Sequence, residues 1–88
     1  GGADSAHIPS FEINASMLQE DGRLTTLLAE CGLCVSRSDA RKQVQAGAVL
    51  VADNKITDVN AVITAEQFGT EGLMLRKGKK NYCRLLLK

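Results

Sequence analysis

Leu24, Leu27, Leu28 and Cys31 stand at i, i+3, i+4 and i+7, which is a single apolar stripe along a helix. Asp21 ahead of them is a natural N-cap and Gly32 behind them a natural stop. The spacing therefore predicts a helix over 22–31. A second start signal follows in Ser36-Arg37-Ser38-Asp39, where a Ser N-cap with an acid three residues on resembles a capping box. Ala40, Val44 and Gly47 form the apolar side of this second helix. Arg37, Arg41 and Gln45 recur at four-residue spacing on the other side, flanked by Ser38 and Lys42.

Beyond Gly47 the pattern changes period. Ala48-Val49-Leu50-Val51-Ala52 reads as a buried strand, Asp53-Asn54 as a tight turn and Lys55-Ile56-Thr57 as a return strand. Val62-Ile63-Thr64 reads as a strand fragment, with a helical turn opening at Thr64. Leu73-Met74-Leu75 and Leu85-Leu86-Leu87 flank Arg76-Lys77-Gly78-Lys79-Lys80-Asn81-Tyr82, which predicts a hairpin with a basic, Gly-centred loop. The expected fold is α+β, two helices packed on a small antiparallel sheet. Residues 1–20 lack a sustained period and read as a linker or partly disordered lead, with a short strand near Phe11–Ile13 as one possibility. Residues 21–88 form the domain body.

At 88 residues the chain has room for one small domain. Its net charge of +1 is uninformative until it is mapped. Residues 1–34 hold five acids and one base, whereas 35–88 hold five acids and ten bases. That asymmetry points to a polyanionic partner. In the hairpin, Arg76, Lys77, Lys79 and Lys80 repel one another, so folding gains nothing from clustering them, while a phosphate-bearing partner would. Taken separately, the hairpin also fits an aggregation-resistant turn and the helix face a solvated surface. With only Phe11, Phe68 and Tyr82 as aromatics and no Trp, a sheet that stacks several bases is disfavoured.

No stretch approaches membrane-span length, and no secretory leader is visible. The chain begins without Met and reads as a fragment. The one histidine, His7, lies in the lead, so no Ser/His/acid centre is preorganised, and no phosphate-binding Gly-rich motif occurs. Cys31-Gly32-Leu33-Cys34 has C-x-x-C spacing, but the remaining candidates for the four ligands of a zinc site are Cys83 and His7, the latter in the lead, and the βαβ setting of a redox motif is absent. Its cysteines read as small apolar residues at a helix end. An odd cysteine count fits a reducing cytosol.

The run from Ser36 through Val51, extended to Lys55 and Asp58, resembles the αL RNA-binding motif of the domain named after protein four of the small ribosomal subunit. The run from Leu75 to Cys83 and the helix from Leu24 to Leu33 further resemble the C-terminal domain of bacterial tyrosyl-tRNA synthetases. The resemblance implies an RNA-binding α+β domain appended to a class I catalytic domain. The RNA-facing positions it implies are Arg37, Arg41, Lys42, Lys55, Arg76, Lys77, Lys79 and Lys80. Ser38, Gln45 and Tyr82 lie beside them and complete the candidate site. The family's usual Asn-Gly turn is replaced here by Ala52-Asp53, so the positive backbone angles must pass to Asp53 or Asn54, or the turn type must change. The resemblance implies a tRNA partner, the tyrosine tRNA with its long variable arm, and neither membrane nor metal. It also implies no catalysis and no cofactor in this domain, ATP belonging to the catalytic domain of the parent. The isolated domain is expected to be monomeric, the parent homodimeric, and the location cytoplasmic. Other readings are the same domain in an RNA-modifying or ribosome-associated protein, a metal or redox module built on Cys31, Cys34 and Cys83, or a protein-interaction module.

Overall fold

The Leu24 stripe sits at the centre of the computed structural model, which describes residues 8–88. The expectations for residues 1–7, His7 included, lie outside the described residues. The stripe forms helix α2 (Leu24–Glu30), whose Leu24, Leu27 and Leu28 are 0–1 % exposed. Burial on that scale stabilises the fold by about 1.5–3 kcal/mol per side chain. The helix starts two residues later than the periodicity predicts. Asp21 does not cap it directly. Its carboxylate accepts the Arg23 amide (3.2 Å) and the Thr26 hydroxyl (2.8 Å). Meanwhile the Gly22 carbonyl accepts the Ile63 amide (2.7 Å), and the Leu24 amide donates to the Ala61 carbonyl (2.9 Å). Tertiary pairing with 61–63 thus holds 22–23 extended.

Helix α3 spans Arg37–Gln45 and turns Ala40 and Val44 into the core. Half of the anticipated capping box forms. The Ser36 hydroxyl accepts the Asp39 amide (3.1 Å), but the Asp39 carboxylate accepts the Val35 amide (3.4 Å) in place of that of Ser36. At the other end the Gly47 amide donates to Val44 and the Ala48 amide to Gln43, both at 3.0 Å. That bond pair is a Schellman closure, and it requires the left-handed φ of +75° that Gly47 adopts without a Cβ penalty.

Five strands complete the domain: β1 (Ser10–Ile13), β2 (Val49–Val51), β3 (Asn54–Ile56), β4 (Leu73–Lys77) and β5 (Asn81–Leu87). Their order is β1-β5-β4-β2-β3, with β1 parallel to β5 and every other pair antiparallel. The fold is therefore α+β as expected, but with a mixed sheet and with a third helix, α1 (Ala15–Glu20), before the two that were anticipated. Within the stretch read as a lead, Ser10–Ile13 pairs along β5 and Ile13 is 3 % exposed. A single 3₁₀ turn at Ala65–Gln67 follows Thr64, whose amide donates to the Gln67 side chain (2.8 Å).

Strand alternation divides the sheet into two faces. Val49, Val51, Leu73, Leu75, Cys83 and Leu85 are all buried in the common core with the helices. Leu50, Met74, Arg76, Tyr82, Arg84 and Leu86 occupy the alternate positions and remain partly exposed. The β2–β3 turn is one residue earlier than predicted. Val51 pairs with Asn54, so Ala52 and Asp53 are the two loop residues, with φ of +49° and +68°. These are the positive angles of a type I′ hairpin turn, adopted here without glycine.

Candidate nucleic-acid interface

On α3 the burial of Ala40 and Val44 leaves the opposite surface to Arg37, Ser38, Arg41, Lys42 and Gln45, all exposed. Because helix geometry places i and i+4 side by side, Arg37, Arg41 and Gln45 form one ridge. Asp39 in the first turn is engaged by the Val35 amide and, at 3.4 Å, by the Gln43 amide group. Among the described residues the ion pairs are Arg23–Asp21 (3.2 Å) and Lys88–Glu12 (3.1 Å). Neither uses a cation of α3 or of the terminal hairpin, so those charges are uncompensated within the described fold.

The terminal hairpin is longer than the apolar runs alone predict. Arg76 and Lys77 lie within β4, Asn81 and Tyr82 within β5, and only Gly78-Lys79-Lys80 forms the loop. The pairs Arg76↔Tyr82 and Lys77↔Asn81 extend the ladder to its tip. Exposed Lys79 and Lys80 crown it. The Gly78 amide donates to the Ala48 carbonyl at 2.8 Å, which pins the tip beside the junction where α3 ends.

Alternation splits the remaining candidates between faces. Lys77 pairs with Val49 and shares the inner register with Leu75, which places it on the helix-facing side of the sheet. Lys55, Leu50, Arg76 and Tyr82 form one cross-strand row on the opposite face. There the Arg76 guanidinium carbon lies 6.0 Å from the Tyr82 ring centroid, at the outer limit of a cation–π contact. The Arg76 Nε is buried without a hydrogen-bond partner. Lys55 still borders α3, because its Cδ would lie 3.5 Å from a Cβ built on Gly47. Sequence reasoning passed over Arg84 and Met74, which form the next pair on this face. Strand period alone would have identified them. Arg84 is tied to the Glu71 carbonyl (3.0 Å).

The three cysteines do not act as a C-x-x-C unit. Cys34 is 2 % exposed and burial pushes its thiol up to about 11. The Cys31 thiol donates instead to the Leu28 carbonyl (3.5 Å). Among the described residues no three His, Cys, Asp or Glu side chains converge as a metal ion requires, and no helix is long and apolar enough to cross a membrane.

A helix ridge and a pinned hairpin tip, both cationic and both outside the core, define a small α+β domain suited to an extended anionic partner. The family model of the tyrosine–tRNA ligase SYY-like C-terminal domain matches residues 3–85. A solution structure of a tyrosyl-tRNA synthetase C-terminal domain superposes with a TM-score of 0.70 at 32 % identity, covering 94 % of this chain and 81 % of that one. The tyrosine–tRNA ligase of Clostridium botulinum (strain Loch Maree / Type A3) is 36 % identical over 87 residues, which is 99 % of this chain and 20 % of the relative. That of Lachnoclostridium phytofermentans is 36 % identical over 83 residues, 93 % of this chain and 20 % of the relative. The chain thus spans about one fifth of the length of these ligases. It belongs to the tyrosine–tRNA ligase SYY-like C-terminal domain family.

Proposed function

We propose that this domain is the tRNA-binding module of a tyrosine–tRNA ligase and that it grips the long variable arm of the tyrosine tRNA. The observation that carries the reading is the α3 ridge: Arg37, Arg41 and Lys42 are exposed and unpaired among the described residues. A-form RNA offers phosphates and a shallow minor groove, which cationic side chains recognise by shape. Arg37 and Arg41 fork onto phosphate oxygens, with Ser38 and Gln45 as neutral donors beside them. Lys42, Lys77, Lys79 and Lys80 act as point charges. Lys55, Arg76 and Tyr82 extend the contact around the sheet, which favours a partner that wraps the edge of the domain.

In this reading the domain performs no chemistry. A linked catalytic domain, binding ATP and tyrosine and dimerising the parent in the cytoplasm, would charge the tRNA that this module holds. Linkage raises the effective concentration of the bound tRNA. The test is a salt-dependent titration of the domain with tyrosine tRNA and with a transcript lacking the variable arm. The full tRNA is expected to bind more tightly, and the R37A/R41A double variant to bind more weakly with a salt slope shallower by roughly 1 per Arg removed. Equal affinity for both transcripts would reject the variable-arm reading. Wild-type affinity in the folded double variant would remove α3 from the interface.

A further inference from the structure

Strand β5 outruns its parallel neighbour. β1 begins at Ser10, opposite Arg84, so Asn81–Cys83 have β4 on one side and no strand of the described fold on the other. The Arg84 amide donates to the Pro9 carbonyl (2.9 Å) and the Lys88 amide to the Ile13 carbonyl (2.8 Å), so every second residue of β5 turns its backbone groups toward the β1 edge. Tyr82 is the next member of that series. Its carbonyl would be met by the N–H of residue 9, but residue 9 is proline and has none. The ladder therefore stops for a chemical reason, and among the described residues no backbone donor reaches the Tyr82 carbonyl. The open edge borders a surface pocket of ≈ 250 Å³ walled by Pro9, Gly32, Leu33, Lys80, Tyr82 and Cys83. We propose that this pocket receives one unstacked nucleobase of a single-stranded RNA segment, with the Tyr82 backbone reading the edge of the base and Lys80 holding its phosphate.

The pocket has the two kinds of surface a base requires. Leu33 is half-buried against the core and Cys83 is 1 % exposed, so they offer apolar surface. Gly32 holds φ at +87°, and nothing lies within 4 Å of where its Cβ would stand, so that wall is bare backbone. The polar side is the Tyr82 N–H and C=O, a donor and an acceptor on one extended residue. Unstacked bases in RNA are read by hydrogen bonds along their pairing edges, and each base has a donor beside an acceptor there. The volume lies just below the range of about 300–1,000 Å³ that encloses drug-sized ligands, which suits one ring system.

Charge and length select RNA over a peptide strand. Lys80 is exposed at the pocket, Lys79 precedes it, and none of the residues lining the pocket is acidic. A peptide adding to a sheet edge needs a run of backbone pairs, whereas β1 leaves only that of Tyr82 open within β5. The hairpin tip is pinned at the end of α3 by Gly78 and Ala48, which joins Lys80 to the surface proposed for RNA. The inference rests on the tRNA-binding reading only for the source of that RNA.

The test compares two RNA pentamers of equal charge, one carrying a single adenine among abasic positions and one wholly abasic. The adenine pentamer is expected to bind the wild-type domain at least about fivefold more tightly, the return from two hydrogen bonds. Its amide chemical-shift changes should include residues 31–33 and 80–83. P9A supplies the missing N–H to the Tyr82 carbonyl, so this variant, shown to be folded by circular dichroism, should bind both pentamers alike. K80A should weaken both by the same factor and make the salt slope shallower by roughly 1. Equal affinity of the wild type for the two pentamers, shift changes confined to α3 or the outer sheet face, or an undiminished adenine advantage in P9A would each overturn the proposal. An uncharged extended peptide that shifts the Tyr82 amide where the adenine pentamer does not would assign the edge to a protein strand instead. Wild-type tRNA affinity in folded R37A/R41A would reject the α3 reading and leave the pentamer comparison standing, because both pentamers carry the same phosphates.

Discussion

Replacing Ala52 with Gly should stabilise this domain, although most Ala→Gly changes do the reverse. Ala52 holds φ at +49°. A left-handed angle at a residue with a Cβ costs about 1–2 kcal/mol. Glycine removes that cost but adds unfolded-chain entropy worth about 0.4–1 kcal/mol. The net expectation is a gain of roughly 0.5–1 kcal/mol. Nothing offsets it, because Ala52 is exposed and its two contacts are backbone contacts that glycine preserves. Its amide donates to the Met74 carbonyl (3.0 Å), and its carbonyl accepts the Asn54 side chain (3.1 Å). For a domain of this size the thermal midpoint should rise by roughly 3–6 °C. Ala46 supplies the control. It is also exposed but sits at φ −76° as the C-cap of α3, so A46G should lose about 0.4–1 kcal/mol. Urea and thermal melts of the wild type and both variants decide the matter. If A52G proved destabilised to the same extent as A46G, the account of a strained, glycine-free type I′ turn would be refuted.

At Gly72 the opposite substitution should be severe. It sits at φ +89°, and a Cβ there would collide with the Leu85 carbonyl oxygen and crowd the Leu86 side chain. G72A should therefore cost more than 2 kcal/mol, on the order expected when overpacking adds to backbone strain, and a near-wild-type urea midpoint would contradict the β4–β5 packing. Asp21 bears on acid stability. Its carboxyl is held below its ordinary value first by the Thr26 hydroxyl and then by the Arg23 amide. A depressed folded value means that its contribution is present above the unfolded value of about 3.9 and fades as pH falls through the folded one. D21N should thus lose stability less steeply than wild type below about pH 4, and parallel acid limbs in denaturant melts would rule out the role.

The periodic elements were legible in the chain. The Leu24–Leu27–Leu28 stripe, the Ser36 cap, the Gly47 stop and the hairpin around Gly78 are local signals, because each depends on residues a few positions apart along one helix or turn. The exposed side of α3 followed from the same arithmetic, since burying Ala40 and Val44 leaves Arg37 and Arg41 outside. The start of α2 was less legible, because residues 61–63 compete for the backbone of 22–24. The β2–β3 turn was displaced by one residue because the register of Val51 against Leu75 on β4 outweighs the preference of Ala for negative φ. The weak period of residues 10–13 reads as a strand only once β5 supplies the hydrogen-bond partners.

Local propensity, spacing and charge thus determined which residues form helices, which form the hairpin and which cations stand away from the core. The tertiary structure alone decided that β1 joins β5 in parallel, that Lys77 and Arg76 take opposite faces, and that Cys31 lines one surface pocket with Cys83. Each of these is a contact between segments distant in sequence. It is set by sheet register and shared burial, and no periodicity within one segment encodes it.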